Sequence, residues 1–379
     1  MTAYLDNAAT TRVWPEAAQA AAEAMTEGYF NPSSRYPQAA KAARALESHR
    51  ADVAKALGCA PKELFFTSCG TESDNWAIRS AVEYGRRKGK HIITTAIEHS
   101  AVLEPIRALE QKGWEVTWLK PNARGTIDPE EVERALRPDT VLVSMMLVNN
   151  ELGTLLPVRE VSQLIRRAGA PALLHCDAVQ GFLKVPFTPK ELGADLVSIS
   201  GHKVHAPKGI GALYIRSGLK LKPLLLGGGQ ENGLRSGTEP TAQIAAFAAA
   251  CRLGLSRREE DIRRMEDLKA YTLARLAAEV PQVTPVAAGD APHILALTMA
   301  GYKSEVLVRV LGDRGICVSA GSACHRGKPS HVYAALPLTK AQRDGAFRVS
   351  FSGDSTRAEV DALIDGLSFA AKTLFPSMQ

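Results

Sequence analysis

The residues of this 379-residue chain best suited to chemistry sit in short segments that follow apolar runs. The sharpest is Ser200-Gly201-His202-Lys203. It follows Leu196–Ile199 and precedes a Gly/Pro-punctuated stretch that cannot form a regular helix. A lysine at the mouth of an apolar strand is partly desolvated, which lowers its pKa and makes the amine a nucleophile toward carbonyls. Pyridoxal phosphate is the commonest biological carbonyl awaiting such an amine. The plainer alternative is a strand-end lysine that snorkels to water.

Seven other segments could act with Lys203. Gly70 and Thr71 follow Leu64–Thr67 and open a helix, where backbone amides hold anions; a simple helix cap is the competing reading. His99, after His91–Thr95, can lie flat on a heteroaromatic ring or merely cap the next helix. Asn149-Asn150 follows Val141–Val148 and makes either a turn or a pair of donors to a phenolate. Asp177, in Cys176–Gln180, ends another apolar run and needs a partner, for which a protonated pyridine nitrogen is suitable. Gly227–Thr238 is a Gly-rich loop that suits a phosphate or a subunit contact, with a plain flexible loop as the alternative. Arg348 sits inside a strand pattern, facing either solvent or a substrate carboxylate. Cys324 stands among small residues, with His325, Arg326 and Lys328 close behind. Those cations favour a thiolate.

The elements around these residues alternate. Seven apolar runs, beginning at Leu64, His91, Trp114, Val141, Ala172, Leu196 and Ala212, interleave with helical periods. That order predicts an α/β fold with a mostly parallel seven-stranded sheet covered on both faces, with chemistry at the strands' carboxyl ends. After Ala250 the texture changes to a charged helix over Ser256–Glu279 and then short mixed elements. This predicts a large domain over residues 15–255 and a smaller α+β domain made of residues 1–14 and 256–379.

Composition narrows the class. Hydrophobic residues make up 45% and charged residues 23%, as in soluble globular proteins. The net charge of +6 is dispersed, which argues against nucleic-acid binding. No apolar run is long enough for a membrane span, and the N-terminus lacks a signal-peptide pattern, so a cytoplasmic location is expected. The six cysteines contain no CxxC pair, which argues against a zinc site.

Taken together, Tyr4–Thr11, Asn31–Ser34, Thr67–Asn75, Glu98–Ser100, Val148–Gly153, Asp177–Gln180, Ser200–Gly211, Arg235–Thr238 and Gly321–Cys324 resemble a cysteine desulfurase of the NifS/IscS type, within the fold-type I pyridoxal-phosphate transferases. The resemblance runs essentially end to end. It implies that Lys203 carries the cofactor covalently and shuttles protons, that Asp177 pairs with the ring nitrogen, and that His99 stacks on the ring and acts in acid/base steps. Asn150 and Gln180 would contact the phenolate oxygen. Gly70, Thr71, Ser200 and His202 would hold the phosphate, joined by Thr238 from the other subunit of a homodimer. Arg348 and Asn150 would bind the substrate carboxylate, and Cys324 would attack the substrate sulfur.

The implied reaction converts L-cysteine to L-alanine and leaves a persulfide on Cys324 for an acceptor protein. The acceptor stays open between iron–sulfur cluster assembly, tRNA thiolation and other routes. A selenocysteine lyase shares the fold and most of the site and is the closest rival. The chain departs from the family pattern at Tyr36 and Ala39, and has a short linker between Cys324 and Pro329-Ser330.

Overall fold

A computed structural model describes residues 2–287, 289–321 and 330–376. In chain order the elements are β1 (Ala3–Tyr4), α1 (Pro15–Thr26), α2 (Pro37–Leu57), β2 (Leu64–Thr67), α3 (Gly70–Gly85), β3 (His91–Thr95), α4 (Ser100–Glu110), β4 (Glu115–Leu119), α5 (Pro129–Ala135), β5 (Thr140–Met146), α6 (Val158–Ala168), β6 (Leu173–Asp177), α7 (Pro189–Leu192), β7 (Leu196–Ser200) and β8 (Gly211–Ile215). There follow α8 (Thr241–Glu279), β9 (Val283–Pro285), β10 (Ile294–Met299), α9 (Ser304–Asp313), β11 (Ile316–Cys317), α10 (His331–Ala334), α11 (Lys340–Asp344), β12 (Ala346–Ser350) and α12 (Arg357–Thr373).

The seven expected strands form one sheet in the order β2-β8-β7-β6-β5-β3-β4. Only β8 runs antiparallel to its neighbours, β2 and β7; the other pairings are parallel. Successive strand residues point to opposite faces, and here both faces are apolar. Phe65, Ile92, Leu142, Leu173 and Leu196 join a core under α3 and α4. Their neighbours Phe66, Ile93, Val143, Leu174 and Val197 join the larger core on the other face. Burial on both sides explains why these strands read as unbroken apolar runs.

A third core gathers Leu295, Leu297, Phe347 and Val349 of an antiparallel β12-β10-β9 sheet with Leu5, Leu307, Leu363 and Leu367. The N-terminal arm belongs to this region, since β1 pairs with β11. The charged helix expected from Ser256 is the second half of α8, which begins at Thr241. Residue 255 therefore lies inside a continuous 39-residue helix. Its alanine-rich first half is buried against α1 and α2, and its charged second half meets α12 and β9. The sequence texture changes because the surroundings change, while the helix continues. The helix expected after Leu64–Thr67 starts at Gly70, following Cys69 in extended backbone.

Candidate active site

The ends of β2, β5, β6 and β7 open into one cavity of about 240 Å³. Gly70, Thr71, His99, Asn150, Asp177, Gln180, Ser200, His202, Lys203 and Arg348 all line it. Thr238 is exposed and is not among the lining residues. Cys324 lies outside the described residues.

Lys203 follows β7 in a single 3-10 turn. Its Nζ donates to the carbonyls of Ala8 and Ala9, each at 2.8 Å. The arm thus holds the amine at the cavity. The Thr11 N–H and hydroxyl both donate to the carbonyl of His202, at 2.9 and 3.0 Å, which fixes the turn. His202 Nδ1 lies 3.2 Å from Thr10 Oγ1. Burial, reinforced by Lys203, pushes His202 down to about 3, so its ring is neutral at physiological pH.

Asp177 closes β6. Its Oδ1 accepts from the Val179 N–H at 2.9 Å. Burial, followed by the nearby Asp74 carboxylate, pushes Asp177 up to about 7. Asp74 also lines the cavity and is itself pushed up to about 7 by burial. Behind them His175 bridges Ser144 and Ser198 at 2.8 and 3.0 Å, with Nε2 3.5 Å from Asp74 Oδ1. Burial lowers His175 to about 4. Asp177 therefore sits in an electronegative floor that would welcome a cation.

His99 caps the next helix and also faces the cavity. Its Nδ1 caps α4 by accepting from the Ala101 N–H at 3.1 Å, and its ring lines the cavity. Asn149 makes the turn: its Oδ1 accepts from the Glu151 and Leu152 N–H groups, each at 2.9 Å. Asn150 is thereby presented to the cavity. Gln180 Nε2 donates to the Ala8 carbonyl at 2.9 Å.

Arg348 faces inward, 2% exposed, so the solvent-facing alternative does not hold. Its Nη2 pairs with Asp6 Oδ1 at 2.8 Å and its Nη1 donates to the Asn150 carbonyl at 2.7 Å. The buried Nε has no partner among the described residues.

The Gly-rich loop is firmly tied, contrary to a flexible loop. Glu231, at its centre, forms a bidentate pair with Arg50 at 2.7 and 2.9 Å, both side chains being buried. Glu231 also accepts from the Phe66 N–H at 2.9 Å. Arg235 pairs with Glu72 at 2.8 Å in the first turn of α3. The loop thus braces the helix N-terminus beside the cavity.

The pocket suits a phosphorylated pyridine on its own chemistry. Ser200 Oγ is buried with no hydrogen-bond partner among the described residues. It stands near Gly70, where an added Cβ would come within 2.9 Å of Val179 Cγ2 and 3.5 Å of Ser200 Cβ. A bare helix N-terminus beside an unsatisfied hydroxyl makes an anion cradle. The electronegative floor at Asp177 supplies a place for a protonated ring nitrogen.

Sequence reasoning missed Asp6, Asp74 and the Ala8 and Ala9 carbonyls. Asp74 lies one turn beyond Gly70 on the same helix, which is a usable signal. The carbonyls carry no side-chain signature.

Residues 3–363 match the aminotransferase class-V family model. A curated cysteine desulfurase of Trichormus azollae is 41% identical over 368 residues, covering 96% of this chain and 91% of that one. A solved NifS-like protein superposes with a TM-score of 0.93 at 36% identity, covering 99% of this chain and 100% of that one. SspA, solved in complex with cysteine, gives a TM-score of 0.81 at 33% identity over 94% of this chain and 100% of its own. With this fold, this cavity and these relatives, the chain belongs to the class-V aminotransferase family, among its NifS-like cysteine desulfurases.

Proposed function

We infer that this chain is a pyridoxal-phosphate-dependent cysteine desulfurase that releases L-alanine from L-cysteine and passes the sulfur to Cys324. The observation that carries the reading is the convergence of Lys203, Asp177, His99 and Arg348 on one cavity beside an anion cradle. Gly70, Thr71, Ser200 and His202 would hold the phosphate, and Asn150 and Gln180 the phenolate oxygen. When bound, the cofactor supplies an electron sink that acidifies the substrate Cα–H.

The chain's residues provide the rest. Asp177, placed among other acids, holds positive charge at the ring nitrogen. Lys203 Nζ, aimed by Ala8 and Ala9, serves as the covalent anchor and then as the base that moves the Cα proton. His99 keeps its Nδ1 occupied by the Ala101 N–H. A neutral ring then carries its proton on Nε2, and His99 would act in the acid/base steps. Arg348, oriented by Asp6 and the Asn150 carbonyl, would bind the substrate carboxylate. The Cys324 thiolate forms an S–S bond with the substrate sulfur as the substrate C–S bond breaks. The bonding electrons return to the amino-acid carbon, where protonation gives alanine, and Cys324 is left as a persulfide for an acceptor protein.

We further propose a homodimer in which exposed Thr238 serves the cavity of a second copy. The chain would divide into a large unit of residues 15–255 and a small unit of 1–14 and 256–379. The separate small-sheet core and the arm's pairing with β11 support that division. We propose a cytoplasmic enzyme; among the described residues no helix is long and apolar enough to cross a membrane.

The test is alanine release from L-cysteine and from L-selenocysteine, for wild type and Cys324→Ala. The expected result is turnover of cysteine by wild type, with the variant retaining cofactor colour and losing desulfuration. Turnover of selenocysteine alone would replace this reading with a lyase.

A further inference from the structure

Glu151 is a fully buried acid that the chemistry above does not use. Its backbone is fixed by the Asn149 turn, and its neighbour Asn150 lines the cavity. Its Oε2 accepts from the Ser330 hydroxyl at 2.6 Å. Ser330 is where the described chain resumes, and its Oγ also caps α10 by accepting from the Val332 and Tyr333 N–H groups. Gly321 is where the described chain stops, and it reaches the same carboxylate. A Cβ on Gly321 would lie 3.2 Å from Glu151 Oε2 and 3.7 Å from Tyr333 Cε2. Gly321 has φ +109°, a conformation that favours glycine. One acid therefore bonds one end of the Cys324-bearing segment and lies beside the other.

We propose that Glu151 is a positioning residue: by holding Ser330 through a hydrogen bond, with Gly321 packed beside the same carboxylate, it sets where the Cys324 thiol can reach. The inference rests on the reading of Cys324 as the sulfur acceptor.

Chain geometry gives the anchor its leverage. Cys324 is the third residue after Gly321, so at most about 10–11 Å of extended chain separates them. A small shift of the stem is a large fraction of that reach. The turn that carries Glu151 also carries the Asn150 carbonyl, which accepts from Arg348. The same short segment thus links the carboxylate-binding wall to the base of the thiol segment. Burying an acid here is costly and does not serve packing alone; an apolar side chain would fill the space more cheaply.

The experiment compares wild type, Glu151→Ala and Glu151→Gln as cofactor-loaded enzymes. Cys324 alkylation by iodoacetamide is followed by peptide mass spectrometry without substrate, beside alanine release, cofactor absorbance and melting temperature. In Glu151→Ala the Cys324 alkylation rate should change severalfold and kcat should fall about 10–100-fold, with KM, absorbance and melting near wild type. Glu151→Gln keeps an acceptor for Ser330 and should recover most of both. Unchanged alkylation and kcat in Glu151→Ala would overturn the proposal. Joint loss of cofactor and melting temperature would also overturn it, by making Glu151 part of general packing. Should that variant not fold, Ser330→Ala decides, with Ser330→Thr as the rescue: unaltered alkylation in Ser330→Ala overturns the anchor. Full turnover by Cys324→Ala would instead overturn the reading of Cys324, and the alkylation arm would still report on the anchor.

Discussion

Asp177, Ser200 and Lys203 stand at or just beyond the ends of two adjacent strands of the large sheet, whereas Arg348 arrives from the small sheet. The first wall is placed by parallel-strand register, since β6 pairs with β7 as far as Asp177 and Ser198. The second wall depends on how the small sheet meets the large one. The N-terminal arm makes that junction. Asp6 pairs with Arg348, Ala8 accepts from Lys203 and Gln180, and the Ala8 N–H donates to Ser350 Oγ at 2.9 Å. The proposed cofactor chemistry and the proposed substrate grip thus rest on separate supports joined by one strap, and mutations should separate them.

Lys203→Ala gives the largest effect. Turnover should fall by about 10³-fold or more, and the visible absorbance of the loaded enzyme should vanish. Full activity in that variant would remove the cofactor assignment for the first wall. Arg348→Ala tests the second wall. Loss of a buried paired guanidinium costs about 2–5 kcal/mol, and most of it should appear as a raised KM for cysteine. Cofactor absorbance should stay as in wild type, and unaltered kinetics would detach Arg348 from the substrate.

Asp177 sharpens the contrast through pH. Its pKa is raised to about 7 in the folded chain, so the folded state holds the proton more tightly than the unfolded one. In cofactor-free protein its contribution to stability is full below the unfolded carboxylate range. It is lost as pH rises toward 7. His175, lowered to about 4, acts in the opposite sense, so the comparison must be with a matched variant. Thermal melting of cofactor-free wild type should fall relative to Asp177→Asn between about pH 4 and 7, by a few kcal/mol at most. Added cofactor should narrow that gap. A gap independent of pH would place the charge elsewhere. The smallest effect is expected for Asp6→Asn, whose partly exposed pair with Arg348 is worth about 1 kcal/mol. It should raise KM a few-fold without changing absorbance; a change in absorbance instead would mean the strap serves the cofactor wall first.

The two walls were unequally legible. Strand ends announce themselves, because runs such as Leu196–Ile199 are buried on both faces and stop where Gly and Pro begin. The cavity-lining residues at those strand ends were therefore readable with their spacing. Arg348 was recognisable as an arginine in a strand, but its partner Asp6 lies 342 residues away and only the fold joins them. The course of α8 was hidden for a different reason. Its alanine-rich and charged halves look like two elements, and nothing local shows that one helix crosses two surroundings. The ties on the Gly-rich loop also depend on a distant residue, Arg50, so composition alone suggested flexibility.

The most direct test of the account is to reconstitute the chain with pyridoxal phosphate, reduce it with borohydride and map the modified lysine by mass spectrometry. The account predicts the label on Lys203. A label on Lys184, a buried lysine within electrostatic reach of Lys203, whose pKa burial lowers to about 7, would contradict it, as would labelling scattered over surface lysines.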